Sequence, residues 1–296
     1  MIGLKPWGEI NCSEVDGSDV CIMGVPFDGA VSCGKGTALG PEVIRNLSRY
    51  MPPTTEEGIL FNSLKVYDHG DVAVDLNWPR YYKAVEDEAF KLMQSNAFCL
   101  FLGGDHSVTI PLQRAFGRNS KGKKIGIIHF DSHSDICDEF DGHKWSHACT
   151  ERRAVEDVIS PEDLALVGIR SWETEEIDYI KAHPEVLLIN AYDIHTKGYS
   201  DVCNKLNEKY AGYDALYLTL DIDVLDPSCA PGTGTPEPGG LQTREMLEII
   251  KFLITELPIS AMDLVEVSPP LDSVNNITSW TALKIIYEVF GKLSLR

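Results

Sequence analysis

Short apolar runs recur along the chain, most of them followed by a segment of helical periodicity, and this alternation restricts the fold more than any other feature. Val20 to Val25 (VCIMGV), Leu64 to Tyr67, Ala97 to Leu102 (AFCLFL), Ile125 to Asp135 (IGIIHFDSHSD), Leu164 to Ile169 (LALVGI), Val186 to Ile189 (VLLI), Ala215 to Leu220 (ALYLTL) and Ile259 to Val267 (ISAMDLVEV) read as strands. They show no clean apolar/polar alternation, as expected of strands covered on both faces. The segment opening at Pro41 (PEVIRNLSRY), Tyr81 to Gln94, Val108 to Phe116, Glu173 to Ala182, Tyr199 to Tyr210, Thr243 to Glu256 and Trp280 to Phe290 read as helices. Pro41 suits a first helical turn and Thr243 a cap. The pattern predicts an α/β fold with a mostly parallel sheet of about eight strands layered between helices. A closed barrel has the same alternation, and periodicity does not separate the two.

No linker divides the 296 residues, so a single domain spanning 1–296 is expected. The formal net charge of -19, from 45 acidic against 26 basic residues, argues against nucleic acid or an anionic membrane as partner and favours cationic ligands. Eight cysteines without Cys-x-x-Cys spacing, and no apolar secretory segment after Met1, point to a reduced, cytoplasmic chain. The longest apolar stretches are too short to span a bilayer.

Three strand ends carry chemistry. Gly103-Gly104-Asp105-His106-Ser107 closes one, and the glycines there permit close backbone approach. Asp131, His133 and Asp135 end the second at every other position, so they share a face if the strand continues. Asp221 and Asp223 end the third. Four carboxylates and two imidazoles are too many for one zinc; a carboxylate-rich mixed set suits two divalent ions such as manganese, sharing a water whose pKa falls toward neutrality. Without metal, such buried carboxylates would repel one another and carry a large desolvation cost.

The strings GGDHS, HFDSHSD and LTLDIDVLDPSCAPGTGTPEPGGL resemble the signatures of the ureohydrolase family, which includes arginase and agmatinase, and the likeness runs from about Ile22 to Phe290. The resemblance implies an open three-layer αβα fold, a trimer or hexamer, and a centre of two Mn2+ that hydrolyses guanidinium compounds to urea and an amine. It makes His106, Asp131, Asp135 and Asp221 ligands of one manganese and Asp131, His133, Asp221 and Asp223 ligands of the other. Asp135 would also orient a hydroxide bridging the two ions. Glu266 in MDLVEVSPP matches the family's guanidinium-binding glutamate, and a carboxylate can accept the paired donors of a guanidinium. His147 in WSHACTERR matches the histidine that passes a proton to the departing amine.

Substrate choice rests on finer signals. The position after the metal motif where arginases carry an Asn that helps bind the amino acid's carboxylate holds Cys137, a poor donor. GTGTPEPGGL, containing Thr235, and GIRS look more like agmatinase than arginase. Asp138, Glu139 and Asp141 in DEFDGH, with Glu173 after GIRS, could surround a terminal ammonium. Agmatine is therefore the expected substrate. Guanidinobutyrate, arginine and formiminoglutamate are same-family alternatives, with Lys144, Arg152 and Arg153 near enough in sequence to serve a carboxylate. A metal-binding homologue without activity and a dimetal phosphoesterase are the rivals outside that chemistry; the latter would need basic groups for phosphate.

Overall fold

In the computed structural model, which describes residues 5–296, the apolar runs become parallel strands whose two faces feed two separate apolar layers. In chain order the elements are β1 (Asn11–Cys12), β2 (Val20–Val25), α1 (Gly40–Ser48), β3 (Val66–Asp71), α2 (Trp78–Met93), β4 (Phe98–Gly103), α3 (Thr109–Asn119), β5 (Ile125–Phe130) and α4 (Thr150–Asp157). There follow β6 (Leu164–Ile169), α5 (Thr174–Ala182), β7 (Leu187–Asn190), α6 (Ala191–Lys197), α7 (Tyr199–Lys209), β8 (Ala215–Asp221), α8 (Thr243–Glu256), β9 (Ile259–Val265) and α9 (Ile277–Leu293).

Among the described residues one nine-stranded sheet forms, in the order β1-β3-β2-β4-β9-β8-β5-β6-β7. β1 and β7 are edges, so the sheet is open and the barrel is excluded. Side-chain alternation splits each central strand between layers. Leu100, Leu102, Leu216, Leu218 and Leu220 pack with α1, α7, α8 and α9, whereas Cys99, Phe101, Ala215 and Tyr217 pack with α2, α3 and α4. Burial on both faces is what the uninterrupted apolar runs require.

The order places β4, β9, β8 and β5 side by side in the centre. The chain passes from β4 to β5 across two strands added later, so the sheet's strand order reverses there. In open α/β sheets a crevice forms outside the carboxyl ends at such a point. All three strand ends that carry candidate ligands, and Glu266 after β9, open onto it.

Several local expectations are corrected. β5 stops at Phe130, so Asp131, His133 and Asp135 lie beyond the strand, and Asp135 adopts a left-handed backbone (φ 51°). Strand alternation is therefore not what aligns them. The last strand ends at Val265, leaving Glu266 just outside it, also left-handed (φ 61°). β3 starts two residues later than the apolar pattern suggested and runs four residues past it to Asp71, because Asp68 to Asp71 are not apolar and carry no strand signal. Gln242, not Thr243, caps α8, in a reciprocal box with Glu245. The two-residue β1, α4 and α6 carried no period long enough to read. Among the described residues no helix is long and apolar enough to cross a membrane.

Candidate metal centre

Three of the four aspartates in the cluster, Asp131, Asp221 and Asp223, spend one carboxylate oxygen on a backbone amide. Asp131 Oδ1 accepts from the His133 amide (2.6 Å), Asp221 Oδ1 from the Asp223 amide (2.8 Å) and Asp223 Oδ1 from the Ser132 amide (3.0 Å). The Oδ2 atoms are left facing inward. Asp131 Oδ2, Asp135 Oδ2 and Asp221 Oδ2 lie 2.9, 3.0 and 3.3 Å from His106 Nδ1. His133 Nδ1 lies 3.3 Å from both Asp131 Oδ1 and Asp223 Oδ2. Asp131 thus belongs to both groups. The Asp135 carbonyl is held by the amides of Glu151 and Arg152 at the start of α4, which fixes the turn that swings its carboxylate back.

His106 is oriented from behind. Its Nε2 is 2.8 Å from Thr219 Oγ1, and Thr219 donates to Asp263 Oδ1 (2.6 Å). Asp263 Oδ2 also accepts from Tyr217 (2.7 Å) and Thr109 (2.8 Å). With the Thr219 proton committed to Asp263, Nε2–H must donate to Thr219 and the Nδ1 lone pair faces the carboxylates. This is the tautomer a metal ligand needs. Asp263, one of two acids in the last apolar run, is explained by this chain of bonds.

The residues fit divalent cations. His106 Nδ1, Asp131 Oδ2 and Asp223 Oδ2 are buried without a hydrogen-bond partner although they crowd together, and such atoms are costly unless something coordinates them. Burial, then repulsion from Asp223 and Asp131, pushes the Asp221 carboxyl well above its usual range, and burial with Asp131 pushes Asp135 up to about 6. Cations between the groups would restore the ionised forms. The side chains of His106, His129 and Asp131, and those of Asp131, His133 and Asp223, lie close enough to hold an ion.

His147 is 3.8 Å from Glu266 through Nδ1, and Glu266 Oε1 accepts the His106 amide at 2.8 Å. Burial, reinforced by His133 and His106, holds the His147 imidazole down to about 4. A cavity of about 190 Å³ opens beside these groups, lined among others by His133, Asp135, His147, Trp172, Glu173 and Thr235. Asp138 and Glu139 do not line it. Asp138 is paired with Lys144 (3.1 Å) and Arg153 (2.9 Å), and Glu139 is exposed. Glu173 lines the mouth and caps α5 with Glu176. Cys137 is buried, its amide donating to Ala148.

Residues not anticipated complete the surroundings. His129 stacks flat on His106 (centroids 5.0 Å, planes 1° apart), with Nδ1 3.2 Å from Glu151 Oε1 and Nε2 3.1 Å from the His133 carbonyl. In the sequence it is only a lone His inside IGIIHF. Ser32 Oγ lies 2.6 Å from His147 Nε2, and nothing in its own loop announces that contact. The loop is seated by Asp105, whose amide donates to Phe27 O. A Cβ on Gly104 would fall 1.8 Å from that carbonyl, so this approach requires glycine.

The family model described as Arginase family matches residues 18–291. A guanidinobutyrase from Pseudomonas aeruginosa is 36% identical over 94% of this chain and 87% of its own length, and an agmatinase from Neisseria meningitidis is 36% identical over 92% and 86%. Among solved structures, the proclavaminate amidino hydrolase of Streptomyces clavuligerus superposes with a TM-score of 0.88 at 30% identity, covering 99% of this chain and 98% of that one.

Proposed function

Because the chain belongs to the arginase family, we propose that it hydrolyses the guanidinium group of agmatine to putrescine and urea. The observation that carries this reading is the pair of His/Asp groups sharing Asp131 beside a cavity that His147 lines, with Glu266 3.8 Å from that histidine. His106, Asp131, Asp135 and Asp221 would hold one manganese, and Asp131, His133, Asp221 and Asp223 the other. When bound, the pair supplies a water that ionises near neutral pH.

The chain's own residues do the rest. Glu266 accepts the guanidinium's N–H donors and fixes the plane of the carbon to be attacked. Asp135, held by the start of α4, receives the proton of the attacking water. His147 delivers a proton to the departing nitrogen, whose C–N bond breaks with the electron pair retained by nitrogen.

Agmatine is favoured over acidic guanidines because no Lys or Arg is among the described residues lining the cavity, whereas Glu173, Glu176, Phe140 and Trp172 are. Carboxylates and aromatic faces suit an ammonium on a methylene chain. Lys144 and Arg153 are spent on Asp138, and Arg152 on Glu156. The equal identity to a guanidinobutyrase keeps guanidinobutyrate as the second reading. A urea-release assay with manganese across agmatine, guanidinobutyrate and arginine decides between them. Agmatine should give the highest kcat/KM; preference for an acidic guanidine overturns the tail assignment, and manganese uptake without urea from any guanidine overturns the activity. We take the working form to be a homo-oligomer, a trimer or hexamer, which light scattering tests.

A further inference from the structure

Ser32 sits in the glycine-rich loop between β2 and α1, 115 positions from His147 in sequence. That loop is fixed. Asp105 accepts the Ala30 amide (2.8 Å), and Asp28 accepts the Gly36 amide (3.2 Å). The imidazole of His147 therefore has two different sides. Nε2 meets the hydroxyl of an exposed serine, and Nδ1 faces Glu266, where the guanidinium is placed.

Burial favours the neutral form of the ring, which has one N–H to place. Should it give up that proton with nothing arriving at the other nitrogen, it becomes an imidazolate, an anion strongly disfavoured in a buried, acidic site.

On the reading of this site as an amidinohydrolase centre, we propose that Ser32 is the positioning residue for His147: its hydroxyl donates to Nε2, keeps the ring proton on Nδ1, and refills Nε2 as that proton leaves. In the step, the C–N bond breaks with its electron pair on the departing nitrogen, which takes the Nδ1 proton. Nε2 takes the Ser32 proton, and Ser32 Oγ takes one from water at the cavity mouth. The ring is neutral before and after. Between turnovers Nδ1 takes the proton shed by the attacking water, and Nε2 returns its own through Ser32 to the hydroxide left at the mouth.

The test compares Ser32→Ala and Ser32→Thr with the unaltered protein. Turnover is measured on the manganese-loaded enzyme. The His147 tautomer is read by 15N NMR on zinc-loaded protein, its signals identified by their absence in His147→Asn. Ser32→Ala should lower kcat about tenfold, leave KM within about twofold and shift the His147 nitrogens away from the Nδ1–H pattern. Ser32→Thr, which keeps the hydroxyl, should restore both. An unchanged kcat and tautomer in Ser32→Ala overturns the proposal. So does a raised KM with the tautomer unchanged, which would make Ser32 only a cavity wall. If the unaltered protein releases urea from no guanidine, the activity reading fails, and the tautomer comparison alone still decides whether Ser32 holds the ring.

Discussion

Asp131, Asp221 and Asp223 each turn one oxygen to a backbone amide and the other inward, so the carboxylates are aimed before any ion arrives. His106 is aimed in the same way by Thr219 and Asp263. Asp263→Asn has a single acceptor oxygen, which keeps the most bonds by staying with Tyr217 and Thr109, so its NH2 group faces the Thr219 hydroxyl, which now donates. Thr219 would turn and His106 would lose its fixed tautomer. Manganese affinity should fall about 10- to 100-fold while the fold persists, measured by calorimetry alongside circular dichroism; unchanged affinity would remove Asp263 from the support of His106. His133→Ala should lose metal and urea release together, whereas His147→Ala should bind metal normally and turn over at least about 100-fold more slowly. Undiminished turnover in the latter would end its role in proton transfer. The acidic cluster was legible because Asp-x-His-x-Asp and Asp-x-Asp put unusual density of ligand atoms at apolar strand ends. Ser32, His129 and Glu151 were not, because a serine in a glycine-rich loop or a histidine in a strand gains meaning only from a partner the fold supplies.

At the scale of elements, Asp131, His133 and Asp135 were expected to share a strand face, and they do lie near one another but not on a strand. Backbone amides and the start of α4, not pleating, bring them together. Boundaries moved where chemistry interrupts pattern: at Phe130, at Val265 and at the Gln242 cap. At one element junction a single side chain gathers several carbonyls. Arg170, just past β6, donates to the carbonyls of Gly168, Asp223 (2.7 Å), Val224, Leu225 and Glu237 (2.6 Å), tying the long loop after β8 to the sheet. A lysine has neither the planar fork nor enough donors for these carbonyls. Arg170→Lys should cost about 2 kcal/mol in urea unfolding and speed amide exchange across residues 225–241. Because Thr235 lies on that loop and lines the cavity, KM should rise more than kcat falls. Exchange no faster than in the unaltered protein would show that the loop is held elsewhere.

Over the whole molecule, the sequence pattern specified a parallel sheet but not its order, since runs buried on both faces carry no mark of their neighbours. The order β4-β9-β8-β5 is what gathers candidate ligands 117 residues apart, from His106 to Asp223, into one crevice. A second long-range tie sits away from that crevice. Glu56 accepts a bidentate pair from Arg244 (2.5 and 2.7 Å) and a bond from Lys251 (3.1 Å), while Glu57 meets Lys292 (3.1 Å), so the segment before β3 is fastened to α8 and α9. The Arg244 hydrogen bonds, with Lys251, lower Glu56 from 4.5 to about 2. A carboxyl depressed on folding binds fewer protons in the native state, so its stabilisation is complete above the unfolded value and is lost as pH falls through the folded one. Glu56→Gln should therefore be less stable than the unaltered protein at pH 7, and the gap should close between about pH 4.5 and pH 2. The rest of the acid transition would remain in both proteins, because other carboxylates held by native hydrogen bonds, Asp226 among them, also lose their stabilisation as they protonate. Denaturant midpoints taken at half-unit pH steps give the comparison; a gap constant across that range would mean that Glu56 contributes by packing and not by charge.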